Sequence, residues 1–325
     1  MDLDYTILPG PDFSMVGQYS LTSLKEIYAS ENFRVQKQKG AFSLKYQPFS
    51  FFKTTLRYNP NISVVRAERD IVNSSAELKN ANVDITPLTN VALKYNYQAN
   101  HAFTKDPEYG FLLSSEDQTI SNIYVLRLMP QEKVDLEFRS RYTTKLDNDL
   151  DDTDTANMYY TDGEGYEIEK GAAIYMRWTR ELLLSLDYNN LRQVMDYQNA
   201  ASLNVKINED KYGFDAKYKY DMYWTYHLFG AYARRENLLV TENNITYEYS
   251  PGAGVAYRLV NFKLSYDYTY IETTMGDDSL RHKHDLSLTY DLNTFISFVT
   301  NAEHIDSVRP RYKTTDVLVK MSATF

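Results

Sequence analysis

Thr314-Thr315-Asp316-Val317-Leu318-Val319-Lys320-Met321-Ser322-Ala323-Thr324-Phe325 is the stretch on which the reading of the fold turns. Val317, Val319, Met321, Ala323 and Phe325 alternate with Asp316, Leu318, Lys320, Ser322 and Thr324. Successive side chains of a strand point to opposite sides, so the spacing predicts a strand with one apolar and one largely polar face. Such a strand needs neighbours of the same kind.

They occur upstream. Phe262, Leu264, Tyr266, Tyr268 and Tyr270 alternate with Lys263, Ser265, Asp267 and Thr269, and Leu286, Leu288, Tyr290 and Leu292 with Asp285, Ser287, Thr289 and Asp291. Earlier, Val91, Leu93, Tyr95 and Tyr97 are separated by Ala92, Lys94 and Asn96, with Gln98 following. The most telling segment follows the turn Met129-Pro130-Gln131-Glu132. There Val134, Leu136, Phe138 and Tyr142 share one side, while Lys133, Asp135, Glu137, Arg139 and Arg141 share the other. A packed core cannot bury five charges on one strand face without partners, whereas a water-filled interior accepts them.

Composition agrees with such a wall. The chain has 325 residues, a formal charge of -9 and a mean hydropathy of -0.52. In a membrane β-barrel only alternate residues meet lipid, so low hydropathy does not exclude the bilayer. No apolar run reaches the roughly 18 residues that a spanning helix needs. Tyrosine is over-represented, at 30 residues against 15 Phe and 2 Trp, as expected of rings placed at membrane interfaces. The competing account is a Tyr-rich soluble β protein. Cysteine is absent, which removes disulfides, thiolate metal sites and C-x-x-C-H haem attachment. Met1-Asp2-Leu3-Asp4 begins no basic-then-apolar export signal, so an exported chain of this sequence is expected to be a mature form or a fragment.

Taken in order, residues 1–12, with Pro9, Gly10 and Pro11, read as a leader, and residues 13–325 as one transmembrane barrel domain. The expected fold is all-β: an antiparallel up-and-down barrel of about 16 strands. Its connections alternate between short ones (86–89, 129–132, 179–181, 221–223, 259–260, 293–294) and longer ones, as periplasmic turns and outer loops do. Residues 199–220 read as one long, bulged strand. Strand content near 60 percent would be suspect in a globular domain and suits a barrel.

A strand ending on Phe325 resembles the terminal strand of Gram-negative outer-membrane β-barrel proteins, whose last Phe is read by the assembly machinery. The segment Asp106-Pro107-Glu108-Tyr109-Gly110-Phe111, in an expected loop at 103–118, is similar to the Pro-Glu-Phe-Gly-Gly sequence of the inward-folded third loop of general porins. The resemblance implies a bacterial outer-membrane location, contact with outer-membrane lipid and lipopolysaccharide, and a homo-trimer. It also implies a constriction carrying Asp106, Glu108, Glu116 and Asp117. The pore-lining set from the alternation is Lys94, Arg127, Lys133, Asp135, Glu137, Arg139, Arg141, Arg177, Asp187, Lys217, Lys263 and Asp267, which predicts a mildly anion-favouring interior.

Other chemistry finds little support. The acidic stretch Leu146–Glu169 lacks EF-hand spacing, because Asp152 and Met158 stand where Gly and Glu would follow Asp147, and a solvated loop is the simpler account. His282, His284 and His304 lie near Asp285 and Asp306, but the phase of Leu286 and Leu288 turns His282 and His284 outward, away from Asp285. A triad must converge, so no catalytic residues, metal site or cofactor are expected. Net acidity without a basic stripe disfavours nucleic acid. The sequence thus points to a porin-like outer-membrane channel for passive diffusion of small hydrophilic solutes or ions. The alternative is a scaffolding barrel, such as the sheath of a cytochrome conduit or part of a secretion or surface system.

Overall fold

The computed structural model describes residues 2–10, 12–28, 31–66, 71–106, 112–151, 159–198, 200–241, 244–274, 278–292 and 296–323. Among these residues eighteen strands follow one another: β1 Asp2–Gly10, β2 Phe13–Tyr28, β3 Glu31–Phe49, β4 Phe52–Arg66, β5 Ile71–Leu88, β6 Val91–Asp106, β7 Leu112–Gln131, β8 Val134–Asp151 and β9 Tyr159–Arg177 come first. Then come β10 Leu182–Tyr197, β11 Val205–Lys219, β12 Trp224–Asn237, β13 Ile245–Tyr249, β14 Gly252–Arg258, β15 Phe262–Thr274, β16 Ser279–Asp291, β17 Ile296–Arg309 and β18 Tyr312–Ala323. Among the described residues a 3-10 turn, Ala201–Leu203, lies between β10 and β11. By contact the chain forms two compact units: 1–128 with 138–170 and 192–206, and 129–137 with 171–191 and 207–325.

In the first unit β1 to β7 pair antiparallel in chain order. Residues 2–10, read from sequence as a leader, form β1 and pair with β2 from Asp2↔Ser20 to Gly10↔Phe13. The stretch where alternation is weakest, β2, is held by an unbroken ladder to β3 from Phe13↔Tyr46 to Tyr28↔Glu31. Interstrand hydrogen bonding, which needs no particular side chain, carries the strand through where the pattern fails. Val194 and Met195 are the buried apolar side chains among the described residues, and Gly165 lies against them.

In the second unit β11, β12, the β13/β14 pair and β15 to β18 make a second run of antiparallel neighbours. β13 and β14 are two halves of one stave, since both pair with β12 on one side and β15 on the other. The break falls at Ser250-Pro251, where proline has no N–H to give the ladder. The register passes through it unchanged, from Tyr232↔Tyr249 to Phe229↔Gly252. Counted as staves, the eighteen segments make seventeen, close to the sixteen that alternation gives. The bulge expected within 199–220 is absent from the β11–β12 ladder, which runs without slip from Ile207↔Asn237 to Lys219↔Thr225. Leu203 lies outside the strand in the 3-10 turn, and Ile207 simply shares a face with charged residues.

The expected longer loops are largely strand. β6 and β7 pair up to Asp106↔Leu112, and strands of up to 20 residues exceed the 9–11 that cross a bilayer. A Cβ on Gly165 would overlap the Val194 carbonyl oxygen and stand 2.9 Å from the Met195 Cα. Both are backbone atoms that cannot swing aside. Gly165→Ala should therefore cost about 1–3 kcal/mol, read as a lower midpoint in urea unfolding of the refolded protein; an unchanged midpoint would refute this packing.

Candidate functional site: a charged strand face

Pairing across β11 to β18 converts the alternation into rows. Nearest the short connections, Arg258, Lys263, Thr289, Val299 and Lys320 stand side by side. The next row is neutral apart from Lys219: Thr225, Ala256, Ser265, Ser287, Asn301 and Leu318. One step further Lys217, His227, Gly254, Asp267, Asp285, Glu303 and Asp316 are successive partners. Four carboxylates thus occupy four neighbouring strands at one level.

Like charges placed directly opposite destabilise a sheet by roughly 0.2–1 kcal/mol per pair. Lys283 and His227 meet the row. Lys283 Nζ lies 2.8 Å from Glu303 Oε2 and 3.3 Å from Asp285 Oδ2. At the other end His227 Nε2 is 2.6 Å from Asp215 Oδ2, and its Nδ1 is 3.5 Å from Asp267 Oδ1. Gly254 makes the second contact possible, because a Cβ there would overlap the Asp267 carboxylate. Asp316 has no ion-pair partner among the described residues. The row borders a concavity of about 480 Å³ lined by Asp267, Asp285, Ser287, Asn301, Glu303 and Asp316.

On the first unit the polar face is built differently. Lys53, Asp84 and Lys94 are successive partners, as are Arg57, Asn80, Gln98 and Ser121. Thr143, fully buried, meets Ser121 at 2.8 Å and accepts from Arg141 Nε at 3.2 Å. Arg141 also lies 3.9 Å from Glu167 and 4.0 Å from Glu169, while Lys145 donates to Glu167 at 2.9 Å. Tyr197 donates to Asp147 at 2.6 Å. Carboxylates read from sequence as a solvated loop are therefore strand residues engaged by cations and a phenol. Among the described residues no group of three or more His, Asp or Glu is arranged to hold a metal ion.

The opposite face is apolar and ringed by aromatics. On the second unit Trp224, Tyr226, Tyr257, Phe262 and Tyr290 cluster near the short connections. Toward the other end Tyr188, Tyr212, Tyr232 and Tyr249 form a chain with ring centroids 4.9, 6.1 and 5.1 Å apart. Between them stand Leu264, Leu288, Thr300 and Val319, then Tyr266, Leu286, Ala302 and Val317.

The ladders put Lys94 and Arg127 on the charged side of the first unit, and Lys217, Lys263 and Asp267 on that of the second. Arg139 and Arg141 alternate with Phe138 and Tyr142 on β8, and Asp187 lies against Gly213, the β11 neighbour of Asp215 by two. Asp135 and Glu137 continue that alternation toward the turn, and Arg177 ends β9. Lys133 lies in the turn before β8, where its carbonyl accepts from the Arg177 N–H.

The porin-like constriction needs correction. Glu116 and Asp117 are not loop residues but partners of Phe103 and Ala102 in the β6–β7 ladder. Being adjacent, they point to opposite faces. Glu116 shares the apolar side with Tyr124 and Leu126, bonded to His101 Nε2 at 2.8 Å. Asp106 ends β6, and Glu108 lies outside the described residues, as does Phe325. Sequence reading missed His227, Glu303 and Asp316. His227 falls between Tyr226 and Leu228, so its phase already placed it on the polar side.

No family model and no curated protein matches the chain. Solved structures do. The chain resembles the copper transporter OprC (TM-score 0.66, 9% identity), covering 95% of this chain and 59% of that one. It also resembles the ferric-catecholate import receptor Fiu of E. coli K12 (0.66, 8%, 94% and 62%) and the ferric yersiniabactin uptake receptor FyuA of Yersinia pestis (0.59, 12%, 94% and 58%). The fold is that of bacterial outer-membrane β-barrels. The chain spans about three-fifths of the length of these structures and shares their fold at identities of 8 to 12%. In proteins of this fold an apolar, aromatic-ringed face meets lipid and a polar face meets the interior.

Lys283→Met would leave Asp285 and Glu303 side by side without their shared cation. The groups are partly exposed, so the loss of stability at neutral pH should be small. It should fade in molar salt; urea midpoints at low and high salt test this, and a salt-independent loss would point to packing instead.

Proposed function

We propose that this chain forms the wall of an outer-membrane transport barrel that passes small hydrophilic solutes along its charged interior face. The observation that supports this most is the sorting of side chains into rows: fixed charges on one face, lipid-compatible side chains on the other. Selection would rest on size and on the field of those rows, with no covalent chemistry. The proteins it resembles are named as a copper transporter, a ferric-catecholate import receptor and a ferric yersiniabactin uptake receptor, which supports transport as the class. Movement by simple diffusion belongs to the proposal, as do outer-membrane residence, assembly through Phe325 and a homo-trimer. The β6–β7 ladder, which pairs as far as Asp106↔Leu112, weakens the likeness to general porins, whose third loop folds inward.

Reconstitution into planar bilayers tests the reading. The protein should give conductance steps, and Asp285→Asn with Glu303→Gln should move the reversal potential in a salt gradient toward anions. A silent wild type would sink the transport reading and favour the scaffold. Conductance with an unmoved reversal potential would remove the carboxylate row from the path.

A further inference from the structure

The polar face of β3 to β7, on the first unit, carries unpaired cations. β3 contributes Lys37, Lys39 and Lys45, β4 Lys53 and Arg57, and β6 Lys94, all of them exposed. None of the six has an ion-pair partner among the described residues. Asp84 is the ladder neighbour of both Lys53 and Lys94, yet forms an ion pair with neither. On β7, Arg127 and Asp117 share this face and each has a partner. Asp2 and Asp4 of β1 stand in register with Ser20 and Gln18 of β2, two strands from β3. Even with these carboxylates counted, cations are in excess. The excess needs no titration, because ammonium and guanidinium groups are charged throughout the neutral range.

Amides lie between the cations. Next to the row Lys53, Asp84 and Lys94 comes Thr55, Asn82 and Asn96, then Arg57, Asn80 and Gln98, then Asn59, Leu78 and Asn100. Asn82 Nδ2 donates to Asn80 Oδ1 at 2.7 Å, and Asn96 Nδ2 donates to Asn82 Oδ1, a relay that fixes three of these side chains. Asn96 Oδ1 is buried and accepts nothing, so the relay ends one donor short. Asn59, Gln98 and Asn100 are exposed, and none has a hydrogen bond among the described residues. An amide both donates and accepts, as a sugar hydroxyl does. The rings of these strands, Phe42, Tyr58, Tyr95, Tyr97 and Tyr124, belong to the opposite face, so nothing here stacks a nucleobase. Lys53 and Lys94 are two strands apart, about 10 Å, and Lys53 and Arg57 four residues apart, about 13 Å. The matching ligand bears anionic groups at intervals along a body of neutral hydroxyls.

We propose that this face binds an acidic oligosaccharide, its carboxylates met by Lys45, Lys53, Arg57 and Lys94 and its hydroxyls by Asn59, Gln98 and Asn100. The assignment rests on the transport reading above and names the class of solute that the path takes. A polyphosphate would use the cations and leave the amides idle. The carboxylate row of the second unit has the wrong sign for such a ligand, which places the site on β3 to β7 alone.

Isothermal titration calorimetry of the purified protein in neutral detergent tests this, with hexagalacturonate as the probe. The wild type should bind it at low salt at least tenfold more tightly than neutral maltohexaose, and should lose affinity as salt rises. Lys53→Gln/Arg57→Gln/Lys94→Gln should weaken binding by about tenfold or more. Gln98→Ala/Asn100→Ala should weaken hexagalacturonate severalfold and leave the weaker binding of hexaglutamate and hexametaphosphate as it was. The comparisons among ligands use the wild type and hold even should a variant misfold. Hexaglutamate or hexametaphosphate binding as tightly as the sugar, or a sugar affinity indifferent to Gln98→Ala/Asn100→Ala, would reduce the face to a general anion surface and overturn the assignment. Maltohexaose binding equally well would remove the cations from it and overturn it too. Planar-bilayer conductance of the same samples separates the two readings: a conducting wild type that ignores hexagalacturonate sinks only this inference, and a silent one that binds it sinks only the transport reading.

Discussion

Register is the constraint on which everything else depends. A strand's faces differ only by parity, so a slip of one residue would carry Asp267, Asp285 and Glu303 onto the apolar face and Leu264, Leu288 and Val319 onto the charged one. Moving even one ionised carboxylate into hydrocarbon costs several kcal/mol, more than any single ladder hydrogen bond returns. The β15–β16 ladder accordingly runs unbroken from Phe262↔Tyr290 to Thr273↔Ser279, and the irregularity in β16–β17 falls at Leu280/Arg281, beyond the carboxylate row. Pro251 shows how strong the constraint is. Its missing N–H splits a stave in two, yet Ser250 and Ala231 still exchange backbone bonds of 2.9 and 3.3 Å and parity is kept on both sides.

Parity was legible in the sequence because it is local. The apolar and charged sides of β15, β16 and β18, and the outward aim of His282 and His284, follow from spacing alone. Row membership was not legible, because it depends on how each strand is offset against the next. Nothing local to Asp316 or Glu303 says that they share a level with Asp285; hairpin geometry between β16, β17 and β18 decides it. The same applies to Glu116. Its charge and its place between two strands suggested a loop, but the β6–β7 ladder extends past it, because backbone pairing continues wherever no proline or strained φ forbids it. The acidic run after Leu146 misled in the same way, since Lys145 and Arg141 on the facing strand supply the cations that let Glu167 and Glu169 sit in a sheet.

The two units handle charge differently, and the contrast bears on function. Around Thr143 charges are matched: Arg141, Lys145, Glu167 and Glu169 interlock, and the hydroxyls of Ser121 and Thr143 satisfy what remains. Such a network stiffens the wall and offers little unspent field to a passing solute. Beside Gly254 the arrangement is left short of cations. Lys283 serves two carboxylates at once, His227 serves two more, and Asp316 is left to water. A sheet that tolerates unrelieved repulsion gives up some stability, and natural sequences usually do so where a site must act on something outside the protein.

β15 to β17 carry both the interior carboxylates and the exterior histidines, on alternate residues of the same strands: Asp267 beside Tyr266 and Tyr268, Asp285 beside His284, Glu303 beside His304. Since neighbouring residues share backbone but not face, the two sets are about one strand thickness apart and are separated by peptide groups rather than by water. A charge on one face is therefore felt on the other through a medium that screens weakly.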